Sequence, residues 1–164
     1  MFFLDWETGK IGTEAFMAAL RAHTGKPITL EQVGWAWQGF ILEVEQYKLD
    51  FALSLRGKYR TFLLTNTNPV VFEWVLSSAF DPAGNGGGHY FEKLYPSYAT
   101  GYTKPHPQIF QYVCKDAGIR AEETLFIDDG KANIAAASEL GFQTYLAENG
   151  ADWRSAIARR LQAC

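Results

Sequence analysis

Apolar and polar positions along this chain change their rhythm once, near residue 57. Before it, apolar residues recur at helical spacing. Phe16, Met17, Ala19 and Leu20 form one such face, and Thr13 stands where an N-cap would. Thr29 predicts a second start, with Glu31 and Gln32 in its first turn. Ile41, Val44, Tyr47, Leu49 and Leu53 predict a third helix from about residue 40 to 55, ended by Gly57. After residue 57, short apolar runs alternate with helical segments. Residues 60–65 predict a strand followed by the polar turn Asn66-Thr67-Asn68, and Pro69 opens a helix. Residues 94–98 read as extended, and Pro107 starts a helix through Ile109, Phe110 and Val113. Leu125–Asp128 is the next strand, residues 132–140 the next helix, 142–146 the last strand and 152–161 the last helix. This alternation predicts an α/β fold, a parallel sheet wrapped by helices with right-handed connections. The expected division is a partial helical cap over 1–57 and an α/β core over 58–164.

Composition narrows the function classes. The 164 residues are 48% hydrophobic and 20% charged, with net charge −3. A core of ordinary size follows without disulfides, and scattered Lys and Arg argue against nucleic acid. The N-terminus has no basic stretch followed by an apolar run, so no signal peptide is expected. No run approaches the ~18 apolar residues that span a bilayer. Cys114 and Cys164 suit a reducing cytoplasm, one on a helix face and one at the terminus. His23, His89 and His106 lack metal-ligand spacing, and Gly84-Asn85-Gly86-Gly87-Gly88 reads as a mobile loop.

The chemistry gathers at strand ends and helix starts. Leu125-Phe126-Ile127 runs into Asp128 and Asp129, an adjacent carboxylate pair where open α/β sheets bind ligands. Two such charges call for a cation, most simply Mg²⁺, held by oxygen ligands; the pair could instead cap the helix that follows. Thr65 and Asn66 end the first strand, Lys104 precedes a helix, and Asn133 follows the carboxylates. A hydroxyl, a lysine and a metal-binding pair suit a phosphoryl group, whose oxygens need donors and cations. Taken singly, Thr65 is a turn hydroxyl and Lys104 a surface lysine.

In order, Leu-Leu-Thr-Asn-Thr-Asn, Thr-Lys-Pro-His-Pro-Gln-Ile-Phe and Leu-Phe-Ile-Asp-Asp-Gly-Lys-Ala-Asn resemble three motifs of the haloacid dehalogenase (HAD) superfamily. Gly9-Lys10-Ile11-Gly12 is similar to the cap entry of its small-cap sugar-phosphate phosphatases. The resemblance implies a Rossmann-like core, a Mg²⁺ cofactor, a small phosphorylated metabolite as substrate, and hydrolysis through an aspartyl-phosphate. It further implies that Thr65 binds the phosphoryl oxygen and Asn66 orients it. Lys104 would neutralise nucleophile and phosphate, with Asp128 as metal ligand and Asp129 second or in the outer shell.

The nucleophile of that family lies in an Asp-x-Asp motif on a central first strand, and this motif is missing here. Phe2-Phe3-Leu4-Asp5-Trp6-Glu7 imitates it, with Asp5 as nucleophile and Glu7 as acid/base. Three apolar residues are short for a central strand, however, and Gly9 onwards fits the cap. The chain is therefore expected to start inside the cap and to be inactive alone. The strands carrying Thr65 and Asp128 would then pair directly, recruit a strand from another chain, or leave edges that self-associate. Two alternatives stand beside a phosphatase: a truncated or degenerate non-catalytic binding protein, and a haloacid dehalogenase, which the carboxylate pair disfavours.

Overall fold

The computed structural model describes residues 2–39 and 44–162. The chain forms two compact units, Met1–Thr103 and Lys104–Cys164.

The first unit opens with helices α1 (Phe2–Glu7), α2 (Thr13–Thr24) and α3 (Leu30–Gln38). Apolar residues at helical spacing bring Trp6, Phe16, Met17 and Val33 into one buried cluster, with the Trp6 indole stacked 3.8 Å from the Phe16 ring. Thr29 caps α3 as expected, in a reciprocal box with Gln32. Thr13 does not cap α2. Gly12 is the N-cap, and the Thr13 hydroxyl instead accepts a 3.3 Å bond from the Trp6 indole N–H. A buried indole needs a hydrogen-bond acceptor more than an exposed helix end needs a side-chain cap.

Of the third expected helix, residues 40–43 lie outside the described residues, and α4 covers Gln46–Ser54. It ends at Ser54 with Leu55 as its C-cap, and Gly57, at φ +90°, lies two residues further on. Strand β1 (Phe62–Thr65) pairs in parallel with β2 (Lys93–Pro96), Phe62 opposite Lys93 and Thr65 opposite Pro96. Helix α5 (Pro69–Leu76) lies between them in sequence, and α6 (Ser97–Thr100) follows β2 directly. Leu49 of α4, Phe72 and Val75 of α5, Phe80 and Tyr90 make a second buried cluster. Gly9, at φ +69°, ends the turn after α1 and lies against α6. A Cβ there would stand 2.2 Å from the Tyr98 carbonyl oxygen, so no larger residue fits.

The glycine run expected to be a loop leads into a short helical turn, Gly87–His89, with Gly87 buried and Gly84 and Gly88 exposed. Buried Asp81 accepts from the Asn85 backbone N–H at 2.9 Å, the Asn85 amide at 3.1 Å and the Tyr90 hydroxyl. Tyr90 in turn accepts from Gln46 of α4 at 3.2 Å.

The second unit alternates α7 (Pro107–Ala117), β3 (Leu125–Asp128), α8 (Lys131–Glu139), β4 (Gln143–Leu146) and α9 (Arg154–Gln162). Strands β3 and β4 pair in parallel. Ile109, Phe110 and Val113 of α7 are buried, as are Ala137, Phe142 and Ile157, and the Phe110, Phe126 and Phe142 rings meet edge to face or tilted. The α/β alternation is as expected, but the strands form two two-stranded parallel sheets. Direct pairing of the Thr65 strand with the Asp128 strand is not among these ladders.

Candidate functional site

Asp128 ends β3 with its side chain 5% exposed. A carboxylate so buried needs partners on both oxygens. The Lys104 ammonium donates to Oδ2 at 2.7 Å. Oδ1 accepts from the Gly130 N–H at 2.8 Å and the Asn133 amide at 2.7 Å. Burial by itself raises the Asp128 carboxyl. The hydrogen bond and charge of Lys104, joined by Asn133 and Gly130, outweigh it and hold the group below its ordinary value. Lys104, with its side chain 11% exposed, is therefore no solvated surface lysine; its ammonium also stands 5.8 Å from the centre of the Phe126 ring.

The chain bends sharply here to make this possible. Asp128 folds back onto the N–H two residues on, the turn that aspartate favours. Gly130 then starts α8 as an N-cap without a side-chain bond, so the carboxylates do not cap the helix from that position. A Cβ on Gly130 would stand 2.7 Å from Asn133 Nδ2 and 3.0 Å from Asp128 Oδ1. Only glycine lets both groups close on the carboxylate. Asp129 is exposed.

In the first unit, Thr65 is half-buried at the end of β1 and Asn66 is exposed. The turn behind them is held by hydrogen bonds. The Thr67 N–H donates to the Ser97 hydroxyl at 2.9 Å, and that hydroxyl donates back to the Thr67 carbonyl at 3.0 Å. Asn68 caps α5, its Oδ1 accepting from the Val71 N–H at 3.1 Å. Its Nδ2 is buried without a partner among the described residues. Sequence reasoning missed Ser97 and the Gly130 N–H. The Asn-Pro pair before α5 and the Asp-x-Gly turn were the signals that pointed toward the cap and the turn.

Asp5 and Glu7 lie on α1, a helix where the nucleophile reading needs a strand. Burial pushes the Glu7 carboxyl up. His106 caps α7 through Nδ1, which accepts from the Gln108 N–H. Cys114 is half-buried on α7, and burial raises its thiol; Cys164 lies outside the described residues. No helix among the described residues is long and apolar enough to cross a membrane.

Residues 11–141 match the haloacid dehalogenase-like hydrolase family. Over 155 residues the chain is 44% identical to D-ribitol-5-phosphate phosphatase of Bacteroides thetaiotaomicron, covering 94% of this chain and 75% of that protein. Among solved structures it is similar to a HAD-like family hydrolase from Porphyromonas gingivalis, with TM-score 0.95, 45% identity, and coverage of 98% of this chain and 78% of the other. It is also similar to a HAD family enzyme from Bacteroides thetaiotaomicron, an aspartate-to-alanine variant in complex with magnesium and inorganic phosphate. There the TM-score is 0.87 and the identity 40%, over 94% of this chain and 79% of the other.

Proposed function

We propose that this chain, which belongs to the haloacid dehalogenase-like hydrolase family, carries the phosphate- and metal-binding residues of a Mg²⁺-dependent phosphatase acting on small phosphorylated polyols or sugars. The observation that carries the reading is the Lys104–Asp128 pair at the end of β3, closed on its other side by Gly130 and Asn133. A lysine held there by a buried carboxylate is a fixed positive charge for a phosphoryl oxygen. Thr65 is proposed to donate its hydroxyl to the phosphoryl group and Asn66 to orient it. The helices up to about residue 57 are proposed as the cap and residues 58–164 as the core. The kinship with a ribitol-5-phosphate phosphatase supports the substrate class.

The donor set suits magnesium. Asp128 offers about four lone-pair positions, of which three receive N–H donors. Asp129, exposed beside it, supplies a second carboxylate. Among the described residues no group of three or more His, Cys, Asp or Glu could hold a metal. One or two carboxylates are what Mg²⁺ commonly takes from protein, with water and substrate phosphate completing its shell. Bound there, it would offset the charge of the phosphoryl group.

The 164 residues contain no Asp-x-Asp, so we propose that this chain binds phosphate without turning substrate over. The related aspartate-to-alanine variant that holds magnesium and inorganic phosphate supports separating the two. A cytoplasmic location belongs to the same reading. So does self-association at the β3 edge: β3 is laddered to β4, and Leu125, Phe126 and Ile127 are only half-buried, less than is usual for a parallel strand.

Titration calorimetry of the chain with inorganic phosphate, with and without MgCl₂, tests this. Mg²⁺-dependent binding weakened at least about tenfold by Lys104→Ala, with no hydrolysis of an aryl phosphate, is the expected result. Absence of phosphate binding would overturn the reading. Mg²⁺-dependent hydrolysis abolished by Asp5→Ala would restore Asp5 as the nucleophile.

A further inference from the structure

Asparagine is among the chemically labile side chains, and Asn-Gly is its most exposed setting, because glycine puts no Cβ beside the next peptide nitrogen. The chain has two such pairs, Asn85-Gly86 and Asn149-Gly150. The fold holds them differently. At Asn85 both ends are tied to Asp81, which is 5% exposed. The backbone N–H donates to Oδ1 at 2.9 Å and the side-chain amide to Oδ2 at 3.1 Å. The main chain beside it is packed, since a Cβ on Gly86 would stand 2.2 Å from the Leu76 carbonyl oxygen. To react, the Asn85 amide would have to leave an ionised acceptor and turn where there is no room. The kindred pair Asp129-Gly130 has its nitrogen engaged instead, the Gly130 N–H donating to Asp128 Oδ1 at 2.8 Å.

Asn149-Gly150 has neither restraint. The Ala151 N–H closes a turn onto the Glu148 carbonyl at 3.1 Å, with Gly150 in third place at φ +75°, a conformation that glycine takes readily. Glu148, Asn149 and Gly150 are all exposed. Among the described residues neither the Asn149 amide nor the Gly150 N–H has a hydrogen-bond partner. A Cβ on Gly150 would meet nothing within 4 Å.

We infer that Asn149 is a site of self-modification in the folded chain, converted to aspartate and isoaspartate through a cyclic imide. Hydroxide takes the Gly150 amide proton, and the nitrogen pair forms a bond to Asn149 Cγ. The Cγ–Nδ2 bond breaks, and the nitrogen leaves as ammonia with a proton from water. Water then opens the five-membered ring at either carbonyl. One opening leaves aspartate, and the other routes the main chain through the side-chain carbons. The place gives the change a structural consequence. Leu146 stands opposite Asp128, and the Ala147 N–H donates to the Asp128 carbonyl at 2.9 Å. Conversion thus adds a negative charge to a segment that already carries Glu148 and Asp152, directly after the strand laddered to the one that ends in Asp128. Isoaspartate also adds a methylene to the main chain between β4 and α9.

Tandem mass spectrometry of peptides tests this, on the full chain aged in mildly alkaline buffer, folded and in urea. In the folded chain Asn149 should convert about ten- to a hundredfold faster than Asn85, whose amide must first leave Asp81. In urea, with that bond gone, the two rates should agree within about twofold. Asn149→Gln, whose longer side chain disfavours the five-membered ring, should remove the early acidic product. Equal rates in the folded chain, or a folded chain that keeps Asn149 intact, would overturn the inference. So would a tenfold difference that persists in urea, or an early acidic product that survives Asn149→Gln. All four outcomes leave the proposed function standing.

Discussion

Replacing Lys104 by methionine keeps the unbranched chain as far as the ε position and removes the ammonium. Asp128 then loses its partner at 2.7 Å and keeps the Gly130 N–H and the Asn133 amide on the opposite oxygen. Both members of the pair are nearly buried, so water cannot readily replace the ammonium. Removing one member of a buried pair costs about 3–5 kcal/mol, much of it the penalty of the charge left behind. Two surviving donors put the expected loss at the lower end, about 3 kcal/mol. Against a total stability of ~5–15 kcal/mol that is a large fraction. Urea unfolding at pH 7 in EDTA, followed by circular dichroism, measures it without interference from bound cations. Asp128→Asn and the double variant complete a cycle that isolates the pair, with an expected coupling of about 2 kcal/mol. A Lys104→Met loss below about 1 kcal/mol, or a coupling below about 0.5 kcal/mol, would refute the argument and return Lys104 to the class of surface lysines.

Gly130→Ala should displace the Asn133 amide from Asp128 and cost about 1–2 kcal/mol; if its loss in urea unfolding simply adds to that of Asn133→Ala, the clash is not with Asn133. Asp81 gives a pH signature. Burial alone raises it, but the Asn85 and Tyr90 donors outweigh that and hold it at about 2, below an unfolded aspartate near ~3.9. Its contribution is therefore full above about pH 4 and is lost as pH falls toward 2. Asp81→Asn should flatten the acid limb of the stability curve in that window, and identical slopes would contradict the assignment. Asn68→Ala should cost about 1 kcal/mol through its lost cap. Asn68→Asp should cost more than Asn68→Ala at pH 7, since it keeps the capping oxygen but leaves a second, charged oxygen buried without a donor; thermal melts separate the two.

The strands were legible because each is a short apolar run stopped by a polar turn, and a parallel ladder needs little more to be recognised. Thr29 and Pro69 were legible for a local reason: cap and first-turn chemistry is decided within four residues. Thr13 failed because its hydroxyl answers to Trp6, seven residues away, once the indole is buried. Asp81, Tyr90 and Gln46 escaped altogether, since a contact spanning 44 residues leaves no spacing to read. Lys104 and Asp128 could be named from their motifs. The direct bond between them could not, because a separation of 24 residues, filled by helix α7, a short turn and strand β3, leaves no spacing to read.

The double hydrogen bond between Thr67 and Ser97 also acts as an indexing pin. Strands β1 and β2 share only four residue pairs, and ladders that short tolerate slippage unless something outside them sets the alignment. Ser97 is fully buried and engages both the N–H and the carbonyl of Thr67. Shifted by one position, that place would fall to Pro96 or Tyr98, and neither carries a hydroxyl on its Cβ. One side chain just beyond the ladder therefore determines which way Thr65 faces. A variant such as Ser97→Ala would be felt as an error of alignment two residues away, in a segment whose own sequence had not changed.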